Sequence, residues 1–125
     1  MSKPIGPYSP IVRAGDWLVV SGQTAQKDGG LVEGGTPAQT RQSLENIRAL
    51  LESAGASLQD VVKCTVFLTD MEDFAAMNAV YAEVFGEHRP ARSTVAVVGL
   101  PMGALVEVEA WAYVGKEAGA TQGQE

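Results

Sequence analysis

The sequence predicts an α+β protein, a mixed β-sheet with two helices packed on one of its faces. Three observations carry that expectation. Two segments of helical periodicity, 37–54 and 73–85, lie between runs rich in β-branched residues. The strand-helix-strand order that results occurs twice, and right-handed crossovers place both helices on the same face. The last apolar run, 104–114, sorts its residues by size onto two sides, small on one and large on the other.

Taken in order, Ile11-Val12 and Trp17–Val20 flank Gly15-Asp16, which supplies the turn chemistry of a β-hairpin. Ser21-Gly22 ends the second strand, and 27–35 reads as a polar, Gly-rich loop. Thr36-Pro37 reads as a helix N-cap followed by proline at the first helical position. Leu44, Ile47, Leu50, Leu51 and Ala54 then recur at helical spacing, and Gly55 is the expected stop. Val61–Leu68 is apolar on both faces, the pattern of a buried strand. Asp70 or Glu72 can cap the second helix, whose stripe is Phe74, Met77, Tyr81, Val84 and Phe85, and Gly86 ends it. A strand over 92–98, a turn over 99–103 and the long strand 104–114 complete the order, with hairpins expected at both ends. Ala104, Val106, Val108, Ala110, Ala112 and Val114 suit a face lying under helices. Leu105, Glu107, Glu109, Trp111 and Tyr113 form the other face, which no helix of the chain covers; a second subunit is expected there.

The chain has 125 residues, 46% hydrophobic and 19% charged, which fits one domain over 1–115 and excludes a disordered polymer. The last ten residues, 116–125, read as a flexible tail. A single cysteine, Cys64, precludes an intramolecular disulfide. The start has no apolar run of a secretory signal and no stretch long enough for a membrane helix, so a cytoplasmic protein without a membrane partner is expected. The net charge of −6 disfavours a general nucleic-acid binder.

Few residues can carry chemistry. With one histidine and one cysteine, His-based triads and paired-His metal sites are excluded, so no metal or cofactor is expected. His88 reads as a surface loop residue and Cys64 as a core residue. Arg92, at the start of a strand, is either half of a structural ion pair or a bidentate clamp for a substrate carboxylate. Glu107 and Glu109 stand mid-strand, where carboxylates are depleted. Either both meet basic groups across an interface, or one positions a water. Tyr8 in Gly6-Pro7-Tyr8 and the Ser21-Gly22 pair read, by themselves, as structural.

A set of collinear motifs adds to this. They are Ile5-Gly6-Pro7-Tyr8-Ser9, Val20-Ser21-Gly22-Gln23, Gln39-Thr40-Arg41-Gln42-Ser43-Leu44-Glu45-Asn46, Val61-Val62-Lys63-Cys64-Thr65-Val66-Phe67-Leu68, Asp73-Phe74 with Asn78 and Tyr81, Pro90-Ala91-Arg92-Ser93, and Val106-Glu107-Val108-Glu109-Ala110. In this order, over nearly the whole chain, the sequence resembles the RidA/YjgF family. The resemblance implies a chorismate-mutase-like fold and a homotrimer with sites between subunits. It implies 2-iminobutanoate/2-iminopropanoate deaminase activity on reactive enamines and imines released by pyridoxal-phosphate enzymes, with no cofactor. Carried over by motif, Arg92 would bind the substrate carboxylate and Glu107 would orient the hydrolytic water. Tyr8, Ser21, Gly22 and Asn78 would line the pocket, and Thr94, where many relatives have cysteine, would contribute backbone groups. The family has also been called an endoribonuclease or translation inhibitor, and a non-catalytic trimeric chaperone or ligand sensor is a further alternative.

Overall fold

The molecule is built on a five-stranded sheet. Its structure, a computed structural model, describes residues 4–115; the tail expected over 116–125 lies outside the described residues. The elements in chain order are β1 (Ile11–Ala14), β2 (Trp17–Gln23), β3 (Gln26–Lys27), β4 (Gly30–Leu31), α1 (Gly35–Ser53), β5 (Val61–Leu68), α2 (Phe74–Phe85), β6 (Ala91–Ala96) and β7 (Val106–Tyr113). The sheet order is β1-β2-β7-β5-β6, with only the β5–β6 pair parallel. The expected mixed sheet with both helices on one face is what forms.

The expected C-terminal hairpin does not form. From the edge strand β6 the chain crosses β5, and β7 inserts between β2 and β5, antiparallel to both. The reason lies in its inner face. Val106, Val108, Ala110 and Ala112 are all fully buried, and such small side chains let a central strand sit beneath two helices. Leu44, Ile47 and Leu51 of α1 and Met77, Tyr81 and Phe85 of α2 close on that face to make one core. Each fully buried leucine or isoleucine there contributes about 1.5–3 kcal/mol by leaving water.

Local structure departs from expectation at four points. The N-cap of α1 is Gly34, in the left-handed region, not Thr36; Thr36 lies inside the helix and is buried. A backbone that needs positive φ at Gly34 and Gly35 leaves the helix start no role for a hydroxyl cap. The 27–35 loop holds the small β3–β4 hairpin, turned by Asp28 and Gly29 at positive φ. β5 is not buried on both sides: a bulge between Val61 and Lys63 exposes Val62, and the rest alternates. β6 ends at Ala96, short of 98. The far end of α1 is as expected: Gly55 donates to Glu52 and Ala56 donates to Leu51, a Schellman stop.

The open face of the sheet is as the sequence predicts. Trp111 and Tyr113 remain 43% and 39% exposed, and both stack edge-on against Trp17. Among the described residues, no helix is long and apolar enough to cross a membrane.

Candidate active site

Two half-sites emerge, on opposite faces of the sheet. The first is on the open face, where β2 and β7 meet. Between the pairs Val20–Ala110 and Gln23–Val108, β2 spends two residues, Ser21 and Gly22, against one on β7, Glu109. This bulge bends β2 and opens space beside it. Ser21 uses its hydroxyl structurally, donating to the Ser9 carbonyl at 2.7 Å, while its backbone N–H donates to Pro10. The segment bearing Tyr8 is thereby tied across the strand. Tyr8 is held by its own tight turn, its N–H donating to Gly6.

Gly22 is there because Glu107 is. A Cβ added at Gly22 would overlap the Glu107 carboxyl group, since the carboxylate lies flat against the glycine. Gly22→Ala should therefore push the carboxylate aside and leave the fold standing. Turnover is expected to fall by at least tenfold with little change in melting temperature; wild-type turnover would mean the carboxylate position is immaterial.

A cleft of about 510 Å³ is lined there by Ile5, Tyr8, Ser21, Gly22, Glu107 and Trp111, among others. Burial raises the pKa of the Glu107 carboxyl, and the neighbouring Glu109 raises it further. Among the described residues neither glutamate forms an ion pair within the chain. Glu107 must be ionised to accept a proton, so activity should fall, as pH is lowered, above the usual carboxylate range. Glu109→Gln removes the like charge and should move that acid limb downward. Burial, the larger cause, should keep it above that range. A pH profile of kcat checks this, and an unmoved limb would assign the titration to another group.

The second half-site lies on the helix side of β6. Arg92 stands opposite Cys64 in the parallel β5–β6 register, and Cys64 is fully buried beneath the helices. The guanidinium carbon of Arg92 sits 4.7 Å from the centre of the Tyr81 ring and 5.6 Å from that of Phe74. Its Nη1 lies 3.9 Å from the Met77 sulfur. Among the described residues no carboxylate pairs with it. The ion-pair alternative for Arg92 thus finds no partner among the described residues.

Around Arg92, the Asn78 Oδ1, Tyr81 hydroxyl and Thr94 Oγ1 are buried with no hydrogen-bond partner among the described residues. A cleft of about 440 Å³ is lined by Asn78, Tyr81, Ala82, Arg89, Pro90 and Arg92. Burial raises the pKa of the Cys64 thiol, against the pull of Tyr81 and Arg92, so it is a neutral core residue as expected. His88 is more than a surface residue: its Nε2 sits 2.7 Å from the Val61 carbonyl, tying the loop before β6 to β5.

The structure thus brings Tyr8, Ser21, Gly22 and Glu107 together, and separately Asn78, Arg92 and Thr94. The two groups cannot meet in one chain. Glu107 lies between the core residues Val106 and Val108, so its side chain leaves the sheet away from the helices, while Arg92 leaves toward them. Sequence reasoning passed over Tyr81 as a stripe residue. Its placement one helical turn after Asn78 was the available signal, since both then face β6.

A larger cavity, about 660 Å³, lies between α1 and the β3–β4 hairpin and shares Ile5 with the Glu107 cleft. The polar side chains that α1 contributes to it are engaged. Gln42 donates to Asn46, whose amide donates to the Thr24 and Gln26 carbonyls, and Glu45 holds Arg48. That cavity reads as packing between α1 and the hairpin.

The family model described as "Endoribonuclease L-PSP" matches residues 1–114. A RutC family protein of Pyrococcus horikoshii is 57% identical over 113 residues, covering 89% of this chain and 90% of that protein. The protein of Escherichia coli K12 named 2-iminobutanoate/2-iminopropanoate deaminase is 45% identical, covering 85% of this chain and 86% of its own length. Among solved structures, E. coli TdcF with bound serine superposes with a TM-score of 0.84 at 41% identity, over 88% of this chain and 90% of that one. Near-complete coverage from both sides, together with the fold and the motifs in place, makes this chain a member of the RidA/YjgF family, the family also called endoribonuclease L-PSP.

Proposed function

We propose that this protein is an enamine/imine deaminase. It hydrolyses 2-imino acids such as 2-iminopropanoate and 2-iminobutanoate to 2-oxo acids and ammonia. The observation that carries the reading is Arg92, a guanidinium held on aromatic rings with no carboxylate among the described residues to satisfy it. An anionic ligand suits that position, and a planar carboxylate matches the guanidinium fork. A relative named for this activity and another solved with serine, itself a small amino acid, support the same reading.

The chemistry asks for little more. A water, relieved of a proton by Glu107, adds its oxygen to C2 of the imine. That proton passes to the nitrogen, giving a carbinolamine; the new hydroxyl then gives up its own proton to the nitrogen as the C–N bond breaks, so that ammonia leaves and a carbonyl remains. One water is consumed and one ammonia released, and no electrons change hands. Imines hydrolyse unaided, so the acceleration required is modest and a sparse site suffices. Ribonuclease chemistry finds less support, because the one histidine is tied to the Val61 carbonyl. A reducing cytoplasm is part of the same reading, suited to the single buried thiol.

The opposite orientation of Arg92 and Glu107 makes the active unit an oligomer in this reading. A homotrimer would cover Trp111 and Tyr113 and bring Arg92 of one subunit toward Glu107 of the next. Light scattering at micromolar concentration should give three chains per particle; a stable monomer that retained activity would sink the arrangement. The activity itself is tested by letting a threonine dehydratase release the imine in the presence of semicarbazide. Adding the protein should suppress the trapped product, and an undiminished yield would count against the deaminase.

A further inference from the structure

The Arg92 cleft holds a second guanidinium. Arg89 lines the same space, one residue before the proline that introduces β6. Its Nη1 donates to the carbonyls of Gly86 and His88, which holds the group on backbone acceptors and leaves Nε and Nη2 without a partner among the described residues. Neither arginine meets a carboxylate among the described residues. Both lie near the Tyr81 hydroxyl. Burial and Cys64 push that group's pKa up, and Arg92 and Arg89 both act in the opposite sense. Of the chain's five arginines, Arg41 and Arg48 pair with Glu83 and Glu45, and Arg13 donates to the Gly15 carbonyl; Arg89 and Arg92 are the two that line one cleft.

One carboxylate satisfies one guanidinium fork. We propose that Arg89 is a specificity residue for a second carboxylate, and that the preferred substrates are 2-imino dicarboxylates, whose side chain ends in an acid. This rests on the deaminase reading above and narrows it. Arg92 holds the carboxylate next to the reacting carbon, and Arg89 takes the distal one across the cleft. The dianion gains from two cations that line one cleft: Arg92 is half-buried against aromatic rings, whereas Arg89 is exposed and its pull is screened by salt.

The test compares three probes: 2-iminopropanoate, 2-iminosuccinate and 2-iminoglutarate. Each is generated in place from alanine, aspartate or glutamate by an amino-acid oxidase, and what survives is trapped with semicarbazide. For the wild-type protein, at least one dicarboxylate should exceed 2-iminopropanoate in kcat/KM by about tenfold or more, and the ratio should shrink as salt is raised. Arg89→Gln should lower that ratio at least tenfold, mainly through KM. Arg89→Lys, which keeps the charge, should restore part of it; a merely structural role for Arg89 would move all three substrates together. Hydrolysis of 2-iminopropanoate with no dicarboxylate preference, or a ratio indifferent to Arg89→Gln, overturns the inference and leaves the deaminase reading standing. Hydrolysis of none of the three overturns both.

Discussion

Arg92→Ala should lower kcat/KM on 2-iminopropanoate by at least about 100-fold, the largest effect expected of any single change to this protein. Removing one partner of a desolvated charge pair costs about 3 kcal/mol or more, and about 1.4 kcal/mol is a factor of ten. In the proposed mechanism anchoring and catalysis are coupled, because a grip on the carboxylate would set the distance from C2 to the attacking water. Arg92→Lys keeps the charge but loses the fork and the flat stacking on Tyr81, so it should fall between wild type and alanine. Steady-state kinetics on intact, folded protein reads the difference. A fully active Arg92→Ala protein of unchanged stability would remove the anchor.

Glu107→Gln should reduce kcat by about 100-fold or more while binding of a 2-oxo acid changes far less. The amide keeps the shape against Gly22 but is a poor proton acceptor, and positioned general bases contribute on this scale. The same change should raise the melting temperature at neutral pH. The folded protein holds this carboxyl at a pKa above its unfolded value, through burial and Glu109. Ionisation therefore penalises the native state above the folded pKa, and the penalty vanishes below the unfolded one. A neutral side chain escapes it. Lost turnover with gained stability distinguishes a functional carboxylate from a structural one; the reverse pattern would make Glu107 a packing residue. The two inactive variants also complement. If the proposed homotrimer holds, trimers re-formed from an equal mixture should regain roughly a quarter of the sites, each pairing an intact Arg92 with an intact Glu107 from neighbouring chains. No regain would place both groups in one subunit's site.

Much of this architecture was legible in the residues. Helical spacing placed α1 and α2 to within two residues, Gly55 and Gly86 marked their ends, and the small inner face of β7 announced a strand beneath helices. The candidate site was legible as a set of residues, Tyr8, Ser21, Gly22, Asn78, Arg92, Thr94 and Glu107, through motif order over nearly the whole chain. The start of α1 was not, because a Thr-Pro pair carries capping chemistry that two glycines at positive φ made redundant. Nor was the last hairpin. Sequence neighbours pair by default, and nothing local to 92–114 says that β7 packs better between β2 and β5 than beside β6.

What the sequence determined by itself was periodicity, turn chemistry and residue inventory, all of which act within a few positions along the chain. Tertiary structure alone decided which groups face one another. Strand order brought Glu107 against Gly22, 85 positions apart, and the bulge at Ser21-Gly22 made room there for a carboxylate. Packing of α2 on β5 and β6 set Tyr81 beneath Arg92. The alternation of side chains across a sheet then sent Arg92 and Glu107 to opposite faces, a relation that depends on the register of three strands and that no local pattern encodes.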